Sequence, residues 1–181
     1  MQENRHFNVI KTTSLPMWIW ENNNPIPNLD IDYWIEKCYI ISREYPSVSK
    51  SNSKEGYQSP QHVVGIDAFA PLVDILRNQV SIFLEHNNFK MDALWVNISG
   101  HGCYNSMHHH GFDSSLISGV LYLQTPENCG DIGFYNKYDD QRGVNVEPLP
   151  GKLLLFPQCL QHYVYPNLSD KDRISIAFNC M

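Results

Sequence analysis

The stretch SLISGVLYL at residues 115–123 is the longest of seven short apolar segments in the second half of the chain. These segments are rich in β-branched and aromatic residues and are separated by turn-forming residues, a pattern that indicates short β-strands. The other six are DALWVNI (92–98), DIGFY (131–135), VNVE (144–147), KLLLF (152–156), HYVY (162–165) and RISIAFN (173–179). Strands of this length and spacing are typical of a sandwich or a jelly roll, so we expect a mainly β fold.

Two amphipathic helices are predicted upstream of these strands. Apolar residues recur at helical spacing at about 30–45, where Pro46 ends the pattern, and again at about 67–86. Residues 5–20 predict one or two strands, and residues 47–60 predict a polar loop. The expected architecture is a jelly roll, cupin-like in kind, with the two helices packed on one of its sheets.

Length and composition restrict the class of protein. A chain of 181 residues fits one domain, with a strand and helix region at about 1–90 and a β-rich core at about 91–180. A formal net charge of -6 argues against nucleic-acid binding. The sequence lacks an apolar run long enough for a membrane helix, its start does not resemble a signal peptide, and its five cysteines form no CxxC pair. We therefore expect a cytoplasmic protein with reduced thiols and no membrane partner.

Three consecutive histidines, His108 to His110, and the later His162 suggest a metal site. On a β-strand, His108 and His110 would point to one face and His109 to the other. A second strand that carries His162 would then complete a facial set of imidazoles. Because imidazole binds iron, zinc, copper and nickel, the ligand type does not name the metal. We do not expect the nearby Cys103 to be a ligand.

The last strand segment suggests how a small acid would bind. Alternation puts Arg173 and Ser175 on one face, able to line a cavity, while the apolar residues between them face the core. Oxygenases that use iron(II) and 2-oxoglutarate need three protein ligands on one face and a fixed cation for the far carboxylate of the keto acid. The order of the histidine run, His162 and Arg173 suits that chemistry. The ordinary alternative is a surface ion pair of Arg173 with Asp170 or Asp172.

Three parts of the chain resemble one family in their joint order. They are CYNSMHHHGFDSSLISGVLYL (103–123), GKLLLFPQCLQH (151–162) and DRISIAFN (172–179). They resemble a group of small 2-oxoglutarate/Fe(II) oxygenases that is common in marine bacteria and their phages. The segment SNSKEGYQS (51–59) also looks like the GyQS signature of that group. The resemblance covers roughly residues 51–179 and implies a double-stranded β-helix, which is a jelly-roll barrel.

For the metal, the resemblance implies that His108 and His162 are iron ligands. His110 stands where many oxygenases of the wider superfamily carry the carboxylate of an HxD pair, so the usual carboxylate is missing. The loop after the run is also longer than in the family pattern, which makes Asp113 an alternative third ligand. An all-imidazole site would leave Fe(II) with more positive charge and would alter its redox properties. We take His110 as the third ligand and leave Asp113 open.

For the co-substrate, the resemblance implies that Arg173 and Ser175 anchor 2-oxoglutarate. Tyr122 resembles the tyrosine that often hydrogen-bonds the same carboxylate in prolyl-hydroxylase-like enzymes, and its alternative role is a core residue. Asn97, on the preceding strand, is expected at the keto-acid end.

The leading hypothesis is an Fe(II)- and 2-oxoglutarate-dependent dioxygenase that uses O2, hydroxylates an unidentified substrate and releases succinate and CO2. A second hypothesis is a non-catalytic jelly-roll module that binds a metal or a small acid, and the missing carboxylate supports it. A third is a three-histidine, cupin-type dioxygenase that does not use 2-oxoglutarate. Arg173 and Ser175 argue against the third, because such an enzyme needs no anchor for a keto acid. The sequence identifies neither the prime substrate nor the oligomeric state.

Overall fold

The structure is a computed structural model that describes residues 7–10, 18–22, 24–48, 56–135 and 143–181. Over these residues the chain forms two α-helices, eleven β-strands and two short 3-10 turns. No helix in these ranges is long and apolar enough to span a membrane. The fold is therefore mainly β with two helices, as the sequence predicts.

The strands form two antiparallel sheets. In chain order they are β1 (Phe7–Ile10), β2 (Ile19–Asn22), β3 (Tyr57–Gln58), β4 (Met91–Ser99), β5 (Asn105–His108), β6 (Ile117–Gln124), β7 (Ile132–Phe134), β8 (Val144–Val146), β9 (Leu153–Pro157), β10 (His162–Val164) and β11 (Arg173–Cys180). The larger sheet has the order β1-β2-β9-β6-β11-β4-β3, and the smaller has the order β5-β10-β7-β8. From β4 onward the chain alternates between the sheets except at the β7–β8 hairpin.

The two helices begin and end close to the predicted positions. Helix α1 runs over Ile31–Glu44 and begins after Asp30, whose carboxylate accepts a hydrogen bond from the backbone N–H of Tyr33 at 3.1 Å. Helix α2 runs over Ala70–Leu84, with a proline in its first turn. The predicted start of α2 at residue 67 is a 3-10 turn that leads into the helix.

The larger sheet is buried on both of its faces. On one face, Ile174, Ile176 and Phe178 of β11 share a core cluster with residues of both helices, including Trp34 and Leu76. On the other face, apolar residues of β6 and β9 cluster with residues of β7 and β8 in the smaller sheet. Burial on both faces explains why β6, β9 and β11 read as nearly continuous apolar runs.

All seven segments that the sequence marks as strands are strands, and their ends lie within two residues of the predicted ones. The region 5–20 contains β1 and the first two residues of β2, while residues 5–6 and 11–17 lie outside the described part of the chain. Strand β3 lies within residues 47–60, which were predicted to be a polar loop, and the prediction reached β5 only at His108, where it considered a strand for the histidine run. Both carry mostly polar residues and are held by their pairing with β4 and β10, so the period-2 apolar signal is absent from them.

The contact between Gly119 and Phe178 yields a prediction about core packing. The two residues are opposite each other on β6 and β11, and a Cβ atom on Gly119 would collide with the phenyl ring. We expect G119A to lower the free energy of unfolding by about 1–3 kcal/mol, because the core has no room for an added methyl group. Urea unfolding measures this. The control is G65A, since nothing lies within 4 Å of a Cβ there, and equal losses in both variants would contradict the packing argument.

Candidate metal centre

His108, His110 and His162 form one group, in which a ring nitrogen of each lies within 4.8 Å of the others. His108 is the last residue of β5, His162 is the first of β10, and the two are directly paired across the strands. Their ring centroids are 4.3 Å apart. The ring of His110 lies 5.2 Å from that of His108 and 5.0 Å from that of His162. The three imidazoles therefore face one point.

The histidine run is only partly on a strand, because β5 ends at His108. The strand placement considered from the sequence therefore holds for His108 and not for His109 and His110. His109 leaves the sheet, and its Nδ1 is 2.9 Å from the carbonyl oxygen of Gly111. The backbone N–H of His110 donates to the carbonyl oxygen of Gln158 at 2.9 Å. This bond ties the chain after β5 to the end of β9 and directs the imidazole of His110 back toward the other two.

Two of the three histidines have their ring hydrogen fixed by a backbone carbonyl. Nδ1 of His108 is 2.7 Å from the carbonyl oxygen of Ser106, and Nδ1 of His162 is 2.9 Å from that of Leu160. A carbonyl oxygen only accepts hydrogen bonds, so Nδ1 carries the hydrogen in both rings. The lone pair of Nε2 is then free to bind a metal ion.

The third imidazole is held by side chains instead. Nδ1 of His110 is 2.8 Å from Oγ of Ser118 and 3.0 Å from Oδ1 of Asn179. The ring of Trp95 lies 5.2 Å away in an edge-on arrangement. His110 thus takes its orientation from strands β4, β6 and β11.

Burial keeps the three histidines neutral. It lowers the pKa of His110 to about 4, and it lowers the pKa of His108 and that of His162 as well. Neighbouring histidines, His109 included, add a smaller shift in the same direction, because adjacent imidazolium charges repel. At neutral pH each ring offers an unprotonated nitrogen, which is the form that binds a metal.

The histidines line a cavity of about 560 Å³ between the two sheets. The four predicted co-substrate residues line the same cavity. Ser175 on β11 is paired with Asn97 on β4 and with Tyr122 on β6, so these three residues form a row across adjacent strands. Arg173 lies two residues before Ser175 on β11, so its side chain is on the same face. The structure thus brings the proposed anchor residues and the three histidines into one space.

Arg173 is a buried cation, with 3% of its surface exposed. Its Nη1 donates to the carbonyl oxygens of Cys129, Gly130 and Tyr165. No carboxylate in the described ranges pairs with it, and Asp172 instead accepts a hydrogen bond from the hydroxyl of Tyr39 at 2.8 Å. The surface ion pair considered from the sequence is therefore not formed. A buried guanidinium without a counter-ion favours binding of an anion.

The row beside Arg173 offers further hydrogen-bonding groups. Tyr122 is buried, and burial raises the pKa of its hydroxyl, so the phenol is a neutral donor. The Oδ1 atom of Asn97 is buried and has no hydrogen-bond partner among the described residues. A buried polar atom of this kind is normally satisfied by a ligand or by water.

Asp113, the alternative third ligand, lies outside the histidine group. Its Oδ1 accepts hydrogen bonds from the backbone N–H and the hydroxyl of Ser115 at 2.8 and 2.7 Å, and these bonds lower the pKa of the exposed carboxyl. Cys103 also lies outside the group and is a buried free thiol. The geometry brings His110, and not Asp113, to the other two histidines.

Several residues of the site were not assigned a role from the sequence. Ser118 and Asn179 contact His110, Trp95 lies against its ring, and the buried Gln58 of β3 lines the cavity. The available signal was a polar residue inside an otherwise apolar strand. Ser118 and Asn179 both fit that description, in SLISGVLYL and RISIAFN.

Comparison with known proteins bears on both sequence and fold. Residues 93–179 match the model of a family described as "Putative 2OG-Fe(II) oxygenase". This match does not test the grouping with marine bacteria and phages, which stays a prediction. No curated protein matches the sequence.

Three solved structures illustrate the similarity of fold. The epimerase SnoN, in complex with Fe3+, alpha ketoglutarate and nogalamycin RO, has a TM-score of 0.72 at 13% identity, over 90% of this chain and 78% of that one. The viral collagen prolyl hydroxylase of Paramecium Bursaria Chlorella virus-1 has a TM-score of 0.63 at 14% identity, over 98% and 97%. A prolyl-4-hydroxylase of Pseudomonas putida has a TM-score of 0.56 at 21% identity, over 83% and 87%. At these identities the likeness shows a shared fold.

The lowered histidine pKa values predict how stability depends on pH. The folded protein keeps His110 neutral down to about pH 4, whereas histidines of the unfolded chain protonate near pH 6.5. Between these values the unfolded state binds more protons, so the free energy of unfolding of the metal-free protein should fall as the pH falls. Urea unfolding at several pH values measures the slope.

The variant H110Q should show a shallower fall in stability over the same pH range, because it lacks one of the buried groups. H86Q, which changes an exposed histidine outside the group, is the matched control and should keep the wild-type slope. Equal slopes for H110Q and the wild-type protein would contradict the prediction.

Proposed function

We propose, from the match of residues 93–179 to the 2OG-Fe(II) oxygenase family model, that this protein is an Fe(II)- and 2-oxoglutarate-dependent dioxygenase. The observation that carries the proposal is one cavity that holds both a group of three neutral histidines and a buried arginine that pairs with no carboxylate among the described residues. The reaction would hydroxylate a substrate that is not identified and would release succinate and CO2. When bound, the iron with O2 and the keto acid supplies the oxidising chemistry.

We assign the metal ligands to His108, His110 and His162. The donor set fits a transition metal, because a ring nitrogen of each of three imidazoles lies within 4.8 Å of the others. The carbonyl oxygens at Nδ1 hold the rings of His108 and His162 in the tautomer that leaves Nε2 free. Asp113 is not part of this proposal, since its carboxylate is exposed and bonded to Ser115.

We assign the 2-oxoglutarate anchor to Arg173, Ser175 and Tyr122. The guanidinium offers charge-assisted hydrogen bonds to a carboxylate, and the two hydroxyls beside it are further donors. Asn97 contributes an amide in the same row. Apolar side chains of both sheets, Val120, Ile132 and Phe156 among them, line the cavity together with polar side chains such as Gln158.

We also propose that β4–β11 form the double-stranded β-helix of a single domain, with α1 and α2 packed on the larger sheet. The alternation of these strands between two sheets and the shared cluster of helix and sheet residues support this. Cys38, Cys103, Cys129 and Cys180 are free thiols, which supports a reducing compartment such as the cytoplasm.

One observation favours a second candidate, a non-catalytic module that binds a metal and a small acid. The histidine group contains no carboxylate among the described residues, so the ligand set differs from the usual HxD arrangement. A three-histidine dioxygenase that does not use a keto acid is less favoured, because it leaves the buried charge of Arg173 without a role.

Turnover tests the proposed function. We expect the protein, purified without oxygen and supplied with Fe(II), 2-oxoglutarate and O2, to form succinate. Before O2 is added it should show the visible charge-transfer band of an Fe(II)–keto acid complex. H108A and H162A should lose both signals because each removes a ligand, and H86A should keep both. Absence of both signals in the wild-type protein would refute the proposal, while a band without succinate would favour the binding module.

A second prediction isolates the anchor. R173M should weaken binding of 2-oxoglutarate at least about tenfold, because it removes a buried charge that faces the carboxylate. R173K should recover part of the loss, since it keeps the charge without the fork. Titration of the charge-transfer band with 2-oxoglutarate measures the affinity. R77M, an exposed position on α2, is the control, and a wild-type affinity in R173M would contradict the assignment.

A further inference from the structure

We infer that Ser118 and Asn179 are a positioning pair that holds His110 as the third metal ligand, in the place of the missing carboxylate. This inference rests on the proposed function, and it concerns what makes a histidine usable at that position. Neither residue is a metal ligand itself. Both act through the Nδ1 atom of His110.

The pair is built into the centre of the larger sheet. Ser118 on β6 is directly opposite Asn179 on β11, and Ser118 is fully buried. The hydroxyl of Ser118 donates to Oδ1 of Asn179 at 2.8 Å. Nδ1 of His110 lies against both oxygens, at 2.8 and 3.0 Å. The three groups form a closed triangle of hydrogen bonds.

The arrangement selects one tautomer of His110. The hydroxyl of Ser118 has a single hydrogen, and that hydrogen is used toward Asn179. Its oxygen therefore presents a lone pair to the ring, as does Oδ1 of Asn179. With two acceptors facing it, Nδ1 must carry the hydrogen, and Nε2 is left unprotonated for the metal.

The third ligand needs this support more than the other two do. His108 and His162 each bond a carbonyl two residues earlier in their own segment, so their orientation is local. His110 lies beyond the end of β5 and reaches partners that are 8 and 69 residues away. A carboxylate at position 110 would have two equivalent oxygens and no tautomer to select. An imidazole there binds a metal only through its unprotonated nitrogen. By keeping the hydrogen on Nδ1, Ser118 and Asn179 leave Nε2 of His110 free to act as the ligand in place of a carboxylate.

Metal affinity tests the pair without turnover. Co(II) is added to the metal-free protein in competition with a chelator, and the dissociation constant is measured for S118A, N179L and N179D. We expect N179L to weaken binding about 10–100-fold, as is typical when a hydrogen-bond partner of a metal-bound histidine is lost. N179D keeps an acceptor at the same place and should stay within a few-fold of the wild-type protein. S118A, which removes one of two acceptors, should fall between them.

Matched controls separate this effect from a general loss of stability. N22L removes side-chain hydrogen bonds of Asn22 with Gly151 and Leu153, far from the histidines. S59A removes the buried hydroxyl of Ser59 that accepts from the backbone N–H of Val96. Both should lose stability and keep wild-type Co(II) affinity. If N179L does not fold, the comparison of S118A with S59A carries the test.

The tautomer is read directly from 15N spectra of the histidine rings in the metal-free protein. Hydrogen on Nδ1 of His110 in the wild-type protein and in N179D, with loss of this preference in N179L, supports the pair. Hydrogen on Nε2 in the wild-type protein, unchanged affinity in N179L, or equal losses in N179L and N179D overturns it. If the wild-type protein binds no Co(II), the proposed function fails, and the spectra still decide whether Asn179 controls the ring.

Discussion

The register of β11 between β4 and β6 is the constraint on which both halves of the site depend. Alternation along this strand turns Arg173, Ser175 and Asn179 toward the cavity and turns Ile176 and Phe178 toward the helices. A shift of one residue would exchange the two sets, since side chains alternate with a period of two. The proposed co-substrate anchor and the support for the third metal ligand are therefore fixed by the same backbone hydrogen bonds.

The one buried charged group among the described residues that line the cavity is positive, and this favours the binding of an anion. The histidines are neutral, Arg173 is positive, and Asp92 is the one carboxylate among the described lining residues. Asp92 is exposed, so it does little to offset a buried guanidinium. In a site of this kind a dicarboxylate would offset both the charge of Arg173 and the charge of a divalent metal, so the acid and the metal would favour each other's binding.

Sequence patterns predicted those parts of the fold that depend on burial. The apolar strands, the two faces of β11 and the capped helix α1 all follow from periodicity and local chemistry. The orientation of His110 does not, because the chain leaves β5 at His108 and its course then depends on a hydrogen bond to Gln158. The contact of Ser118 with Asn179 joins residues 61 positions apart, and no local pattern encodes such a distance. Asp113 was suggested as an alternative third ligand from loop length alone. In the fold its carboxylate instead bonds Ser115.

The bonds of Arg173 to three backbone carbonyls have a consequence for how a ligand is received. They tie the segments at Cys129, Gly130 and Tyr165 to the end of β11. A free arginine side chain loses much rotational freedom when it captures an anion, and that loss weakens binding. Here folding already immobilises the guanidinium of Arg173, so the group is preorganised for an anion before the anion binds. Arg173 would therefore both recognise the ligand and hold the surrounding backbone segments in place, so this end of the cavity is preorganised for binding.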